Sequence, residues 1–512
     1  MLVRDFLEAA AECAPHKTAV ICDGQRWAYG EIDSMADNLV QTLRINGVKR
    51  GDRVVIYLKN CIEAVISIFG VLKASAVFVV VNRSTKAEKL AFIIKNCQAT
   101  LLIADDKAPF DDVFKLINPD ENTLKTLISC GDKPVNHSIC PCPVLTWNEA
   151  VNRQTKSHRQ PAINIDLDLA CIIYTSGTTG DPKGVMCDHS SMVFVSGSII
   201  NYLENNENDI VLNVLPLSFG YGLYQLLTIF RSGATLILEN SFAFPAMILQ
   251  LIQQERVTGM SGVPTFYAML LQFDFSKVDF SSLRYITNAA SGLPPSHLLE
   301  LQRRLPDTKI YAMYGLTEVV RALYLPPEYT RQKPDSVGIA IPGTEVWVER
   351  DGIRMGPGEV GELVVRGRHV MRGYWQAPEL TAVRFRPDFI PGERLCYTGD
   401  LFKTDQDGFF YFVSRQDDII KSRGEKVAPR EVETVLHHLD GVVEAAVIGV
   451  PDAILGQAIK AVIIKDEKPL TEREVLAHCR VHLEDFMVPK YVEFVTSLPK
   501  SPSGKVLKGE LV

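Results

Sequence analysis

Short apolar runs of strand length alternate with longer amphipathic stretches through most of the chain. Asp209–Leu215, Ala234–Glu239 and Leu283–Asn288 read as strands, and Leu223–Phe230, Met247–Glu255 and Pro295–Leu305 read as helices interleaved with them. This rhythm predicts layered α/β structure with loops gathered at strand ends, where ligands bind. No repeat or low-complexity tract interrupts it. After Gly399-Asp400 the pattern changes. Gly408–Gly424 (GFFYFVSRQDDIIKSRG) suits hairpins, APREVETVLHHL predicts a helix opened by Pro429, and Ala445–Val450 and Ala458–Ile464 predict two strands. Thr471–Glu474 is the capping-box start of a further helix. The expected fold is therefore α/β: a large layered domain over residues 1–416, joined near Gln416-Asp417 to a small, mobile α+β domain over residues 417–512.

A chain of 512 residues is too long for one core, which agrees with that division. Its 46% hydrophobic and 22% charged residues are those of an ordinary soluble globular protein. A net charge of −7 offers no basic footprint for nucleic acid. The opening MLVRDFLEAAAECAPH scatters acids among its apolar residues, unlike a signal peptide or membrane anchor, so a cytoplasmic protein without membrane insertion is expected. Eleven cysteines, an odd number dispersed from Cys13 to Cys479, read as reduced thiols. Cys140 and Cys142 in CPCP lack two further ligands at a spacing that would hold zinc.

The densest chemical signal is YTSGTTGDPKGV at Tyr174–Val185, directly after the apolar run Leu169–Ile173. Gly177, Gly180 and Gly184 allow turning and close backbone approach, Thr175, Ser176, Thr178 and Thr179 offer donors, and Lys183 adds a mobile positive charge. Such a loop suits a nucleotide polyphosphate. It is not the usual P-loop, because Gly184 rather than Ser or Thr follows Lys183.

Four further strings follow in order: YGLTE at Tyr314–Glu318, YTGD at Tyr397–Asp400, SRQDDIIKSRGEKV at Ser414–Val427, and LPKSPSGKV at Leu498–Val506. With the glycine-threonine loop they resemble the adenylate-forming superfamily of acyl-CoA synthetases, amino-acid adenylation enzymes and firefly-type luciferases. The resemblance runs from near Trp27 to the last lysine motif. It implies ATP and Mg²⁺ as cofactors, a small carboxylic acid as substrate, and coenzyme A or the phosphopantetheine of an acyl or peptidyl carrier protein as acceptor. No fused domain is recognised that could serve as acceptor, so a separate molecule is expected.

The same resemblance implies roles residue by residue. Thr175, Ser176, Gly177, Thr178, Thr179, Gly180 and Lys183 would cradle the phosphates; Asn288, Ala289, Ala290 and Tyr314 would face the nucleotide; Asp400 and Arg415 would hold the ribose. Thr317 would donate to the α-phosphate, Glu318 would ligate Mg²⁺, and Lys505 would bridge the substrate carboxylate and the nucleotide. Asp417 matches a hinge between two placements of the small domain, and Lys421 and Gly424 match the face used in thioester formation. One departure is Ser414, where the family usually has glycine before the ribose arginine. Chemically, a carboxylate must approach the α-phosphorus of a polyanion, so cations and oriented N–H groups have to offset the repulsion.

For the acid, the resemblance points to Phe219, Gly220, Tyr221, Gly222, Gly262, Val263, Ala289, Ala290, Met313 and Tyr314, a set that is mostly small or apolar. Amino-acid-activating relatives carry an aspartate where Gly220 stands, and an ammonium buried without a carboxylate is costly. A hydrophobic acid is therefore expected. The alternatives are an amino-acid (proline-like) adenylation enzyme loading a peptidyl carrier protein, a luciferase-like oxygenase, and a catalytically silent relative. Retention of Glu318 and Lys505 speaks against the last.

Overall fold

Strand Arg53–Tyr57 buries both faces: Val54 and Ile56 join one apolar cluster, Val55 and Tyr57 another. Period-two alternation with no polar face marks a strand inside a mainly parallel, helix-covered sheet. The computed structural model describes residues 1–512 apart from 119, 121, 132–134, 136–139, 153–162, 176–181, 291, 423–424, 453–455, 484–485, 502–503 and 512. Among the described residues, Arg53–Tyr57 sits in a seven-stranded sheet in the order Val144–Thr146, Thr126–Cys130, Ala99–Asp105, Arg53–Tyr57, Val77–Val80, Leu169–Thr175, Lys183–Asp188.

A nine-stranded sheet begins at Ile339–Ala340 and Leu323–Tyr324. It continues through Lys309–Tyr314, Tyr285–Asn288, Gly259–Gly262, Ile210–Asn213, Thr235–Leu238 and Thr18–Cys22 to Gln25–Ala28. The strands from Lys309–Tyr314 to Thr18–Cys22 are parallel. One apolar cluster takes in both sheets and helices Tyr29–Ile45, Ile62–Lys73, His189–Leu203 and Gly220–Ser232, so these layers share a core. Parallel order brings the C-terminal ends of Gly259–Gly262, Tyr285–Asn288 and Lys309–Tyr314 side by side, with Gly262 opposite Asn288 and Asn288 opposite Ala312. The segments leaving those ends are free to line one cleft.

A six-stranded antiparallel sheet follows, carrying Arg394–Thr404 beside Phe410–Arg415. The short helical turn Gln416–Asp418 then leads to a five-stranded sheet with helices Pro429–His437 and Glu472–His482. This last unit has a core of its own, including Val432, Leu436, Val447, Ile459, Ile463 and Val475. The α/β architecture with a small C-terminal α+β unit agrees with the sequence pattern. Local chemistry explains the helix starts: Pro429 occupies the first turn, and Thr471 accepts from the Glu474 N–H at 3.4 Å while Glu474 accepts from the Thr471 N–H at 2.9 Å.

Two local expectations change. The helix predicted from Leu223 begins at Gly220, so Gly220, Tyr221 and Gly222 form its first turn. Gly184 lies within strand Lys183–Asp188 rather than at a turn, and a Cβ there would meet Ile172 Cγ2 at 2.7 Å. Its missing side chain serves the antiparallel pairing of Leu169–Thr175 with Lys183–Asp188. No helix among the described residues is long and apolar enough to cross a membrane.

Candidate active site

A cavity of about 1570 Å³ opens between the strand ends of the nine-stranded sheet, the antiparallel sheet and the small C-terminal unit. That exceeds the roughly 300–1,000 Å³ typical of a single small-ligand pocket. Thr175, Lys183, Phe219, Gly220, Tyr221, Asn288, Ala289, Ala290, Met313, Tyr314, Thr317, Glu318, Asp400, Arg415 and Lys505 all line it. Ser176, Gly177, Thr178, Thr179, Gly180 and Gly424 lie outside the described residues.

Antiparallel register sets Asp400 opposite Arg415, with Arg415 Nε 3.7 Å from Asp400 Oδ1. The Tyr314 hydroxyl, at the end of its strand, donates to Asp400 Oδ2 at 2.6 Å. Burial raises the Asp400 carboxyl above the usual aspartate range, while Arg415, Tyr314 and Lys505 act in the opposite direction. The result is a buried acceptor corner of the kind two ribose hydroxyls need.

Lys505 reaches this corner from the far end of the chain. Its loop is closed by hydrogen bonds from the Ser501 N–H to the Lys505 carbonyl at 2.7 Å and from the Gly504 N–H to the Ser501 carbonyl at 2.8 Å. Gly504 has φ +79°, and a Cβ there would lie 3.1 Å from Val263 Cγ2, so the loop is seated directly on the large domain. Burial, and secondarily Arg415, lowers the Lys505 ammonium to about 8, against the pull of Asp400 and Asp418. Below that pH the side chain is charged, and above it neutral. The kcat/KM for pyrophosphate release is accordingly expected to fall as pH rises through about 8, because this parameter follows the free enzyme. Lys505→Arg, whose charge does not titrate, should flatten that limb of a profile measured from about pH 6.5 to 9.5. An unchanged limb would assign the titration to another group.

Glu318 Oε1 accepts from the Tyr374 hydroxyl at 2.6 Å, and Arg384 adds positive charge beside the pair. Lys183 Nζ lies 5.9 Å from the centre of the Tyr374 ring, so this lysine and Glu318 face one region. Among the described residues no group of three or more His, Cys, Asp or Glu side chains could hold a metal. A site with Glu318 as its one carboxylate ligand would suit Mg²⁺, which keeps most of its ligands from water and nucleotide phosphates. When bound, the ion would offset negative charge on those phosphates.

The acid end of the cavity is shaped by aromatic rings. Tyr221 Oη lies 2.6 Å from Thr287 Oγ1, which fixes its ring as a wall. A Cβ on Gly220 would meet nothing within 4 Å, so this position faces open space. Gly262, expected in the acid pocket, does not line the cavity: a Cβ there would lie 2.4 Å from Phe266 Cδ1 and 2.9 Å from Tyr267 Cζ. Gly222 is similarly closed, 2.3 Å from the Pro216 carbonyl. Their smallness serves packing.

The family model of the AMP-binding enzyme matches residues 7–375, and that of the AMP-binding enzyme C-terminal domain matches residues 431–505. The chain belongs to the AMP-binding enzyme family. It is 30% identical to a long-chain-fatty-acid–CoA ligase of Bacillus subtilis (strain 168), over 100% of this chain and 94% of that one. The structure of an anthranilate CoA ligase in complex with anthranoyl-AMP superposes with a TM-score of 0.90 at 27% identity, covering 100% of this chain and 96% of the other. An o-succinylbenzoate coenzyme A synthetase from Bacillus subtilis, in complex with ATP and magnesium ion, gives 0.85 at 26% identity over 99% and 98% of the two chains. The chain is thus an AMP-forming ligase of the acyl-CoA synthetase type, and ATP and Mg²⁺ are its cofactors.

For an AMP-binding enzyme, several wall residues escaped the sequence reading. Tyr374 and Arg384 surround Glu318 from distant segments, and Lys500 Nζ bridges Thr265 Oγ1 at 3.1 Å and Glu444 Oε1 at 2.8 Å across the two units. Arg430 fills the space beside Gly292, where a Cβ would lie 2.5 Å from its Nη2. Arg321 and Lys500 carried a local signal, the one by its place three residues after Glu318 of YGLTE and the other by lying within LPKSPSGKV. Lys421 lies on strand Ile420–Ser422 opposite Lys426, and Asp417 in the turn Gln416–Asp418.

Proposed function

We propose that this ligase activates an organic acid with a largely apolar body and no α-ammonium group, and passes the acyl group to the thiol of coenzyme A. In the first half-reaction a carboxylate oxygen bonds to the α-phosphorus of ATP and pyrophosphate leaves. Lys505 and Thr317 offset the charge gathering there, Asp400, Arg415 and Tyr314 hold the nucleoside, and Lys183 attends the leaving phosphates. In the second, the thiol sulfur, giving up its proton, bonds to the acyl carbon and AMP departs. The observation that carries the adenylation step is the seating of the Gly504 loop on Val263, which brings Lys505 to Asp400 and Arg415.

Support for the acid class comes from Gly220, which offers space but no carboxylate, and from the rings of Phe219 and Tyr221 beside it. An ammonium entering there would lack a counter-charge. Acids without an α-amine are therefore expected to exceed the corresponding α-amino acids in acid-dependent ATP–pyrophosphate exchange by roughly tenfold or more, the ratio that about 1.4 kcal/mol produces. An α-amino acid as best substrate would overturn this acid class. Adding coenzyme A or a phosphopantetheinylated carrier protein to the activated mixture, and following thiol-dependent AMP release, identifies the acceptor. Release with the carrier protein alone would overturn coenzyme A.

A further inference from the structure

The acid end of the cavity holds a guanidinium that no described carboxylate neutralises. Arg321 lines the cavity and is 2% exposed. Its Cζ lies 5.0 Å from the centre of the Tyr221 ring, and it also neighbours the Tyr202 phenol, whose hydroxyl donates to Met313 Sδ at 3.2 Å. Arg321 Nε is buried without a hydrogen-bond partner. Among the described residues it forms no ion pair. One phenol and one ring face can orient a guanidinium, but they leave its charge uncancelled, and a buried cation without a counter-ion is strongly unfavourable.

The backbone around Arg321 is arranged at a cost. Val320, a β-branched residue, has φ +54°, and such strained positions persist only where the surroundings impose them. Gly315 of YGLTE makes the turn possible, since a Cβ there would lie 2.1 Å from the Val320 carbonyl oxygen and 3.0 Å from Arg321 Cα. The motif that delivers Thr317 and Glu318 to the nucleotide therefore also folds Arg321 back against Tyr221. Lys505 already attends the reacting carboxylate, so a partner for Arg321 must come from elsewhere on the acid.

We propose that the acid carries a second carboxylate, remote from the one that is adenylated, and that Arg321 binds it. The proposal rests on the ligase reading above and narrows its substrate to a dicarboxylic acid with an apolar middle. Arg321 is then the specificity-determining residue. Its planar fork suits a carboxylate, and the second charge supplies what the protein lacks.

The test is acid-dependent ATP–pyrophosphate exchange with matched pairs: straight-chain monocarboxylic acids against α,ω-dicarboxylic acids of equal carbon number, and benzoate against the three benzenedicarboxylates. Wild-type enzyme should prefer at least one diacid over its matched monoacid by roughly a hundredfold in kcat/KM, the scale of one buried charge pair. Arg321→Met should reverse that ratio by lowering kcat/KM for the diacid and raising it for the monoacid, and Arg321→Lys should retain part of the preference. Preference for monoacids throughout would overturn the proposal while leaving the ligase reading intact. So would an Arg321→Met variant, folded by its melting transition, that loses both acids equally. Exchange with none of these acids, nor with any in a wider panel, would overturn the ligase reading and the proposal together.

Discussion

Lys505→Ala is expected to lose roughly two to three orders of magnitude in acid-dependent pyrophosphate release, the usual consequence of removing one preorganised charge from a transition state. Thiolysis of preformed acyl-AMP should suffer far less. The asymmetry follows from where charge develops. During adenylation an anionic oxygen meets a polyphosphate, and the proposed mechanism sets that meeting beside Lys505, which neighbours Asp400 and Arg415. Once the mixed anhydride exists, the reacting carbon is neutral and the demand for a cation there falls. The loop itself should persist in the variant, because its closure uses backbone groups of Ser501, Gly504 and Lys505 and contact of Gly504 with Val263 rather than the ammonium. Stopped-flow or radiolabel exchange assays with purified acyl-AMP separate the two steps. Wild-type pyrophosphate release in the variant would remove Lys505 from the mechanism.

Asp417→Pro should have the opposite signature, with the thioester step slowed roughly tenfold or more beyond any loss in adenylation. Asp417 lies in the single turn Gln416–Asp418 that joins strand Phe410–Arg415 of the large unit to strand Ile420–Ser422 of the small one. The small unit is docked on the large one, with Lys505 in the cavity, Lys500 bridging Thr265 and Glu444, and Arg430 against Gly292, the placement that the proposed adenylation step uses. If, as the hinge reading of Asp417 expects, the thiol reaches the acyl carbon once that engagement is released, the rotation must be absorbed by few backbone torsions. Proline fixes φ at one of them. Single-turnover measurement of each half-reaction checks this. Equal losses in both would make Asp417 an ordinary structural residue.

Much of the nucleotide side was legible because its residues sit in contiguous strings. YGLTE and YTGD each fold locally, and the pairing that sets Asp400 opposite Arg415 spans one hairpin, so spacing in sequence translates directly into spacing in the site. The acid side was less legible. Gly220, Gly222 and Gly262 look alike in the sequence, yet one faces open space, one meets the Pro216 carbonyl, and one is filled by the rings of Phe266 and Tyr267. A missing side chain carries no record of whether a ligand, a backbone or a ring takes its place.

The chain's pattern of apolar and polar positions determined the layered α/β fold and the small α+β unit, and its local motifs determined the nucleotide chemistry, because both depend on near neighbours in sequence. Tertiary structure alone decided that Tyr374 holds Glu318, that the Gly504 loop rests on Val263, and that Arg321 lies buried against Tyr221 without a counter-ion among the described residues. Those contacts join residues tens to hundreds of positions apart. Their energies come from burial and charge at points where separate strands, loops and domains converge, and no local spacing encodes that convergence.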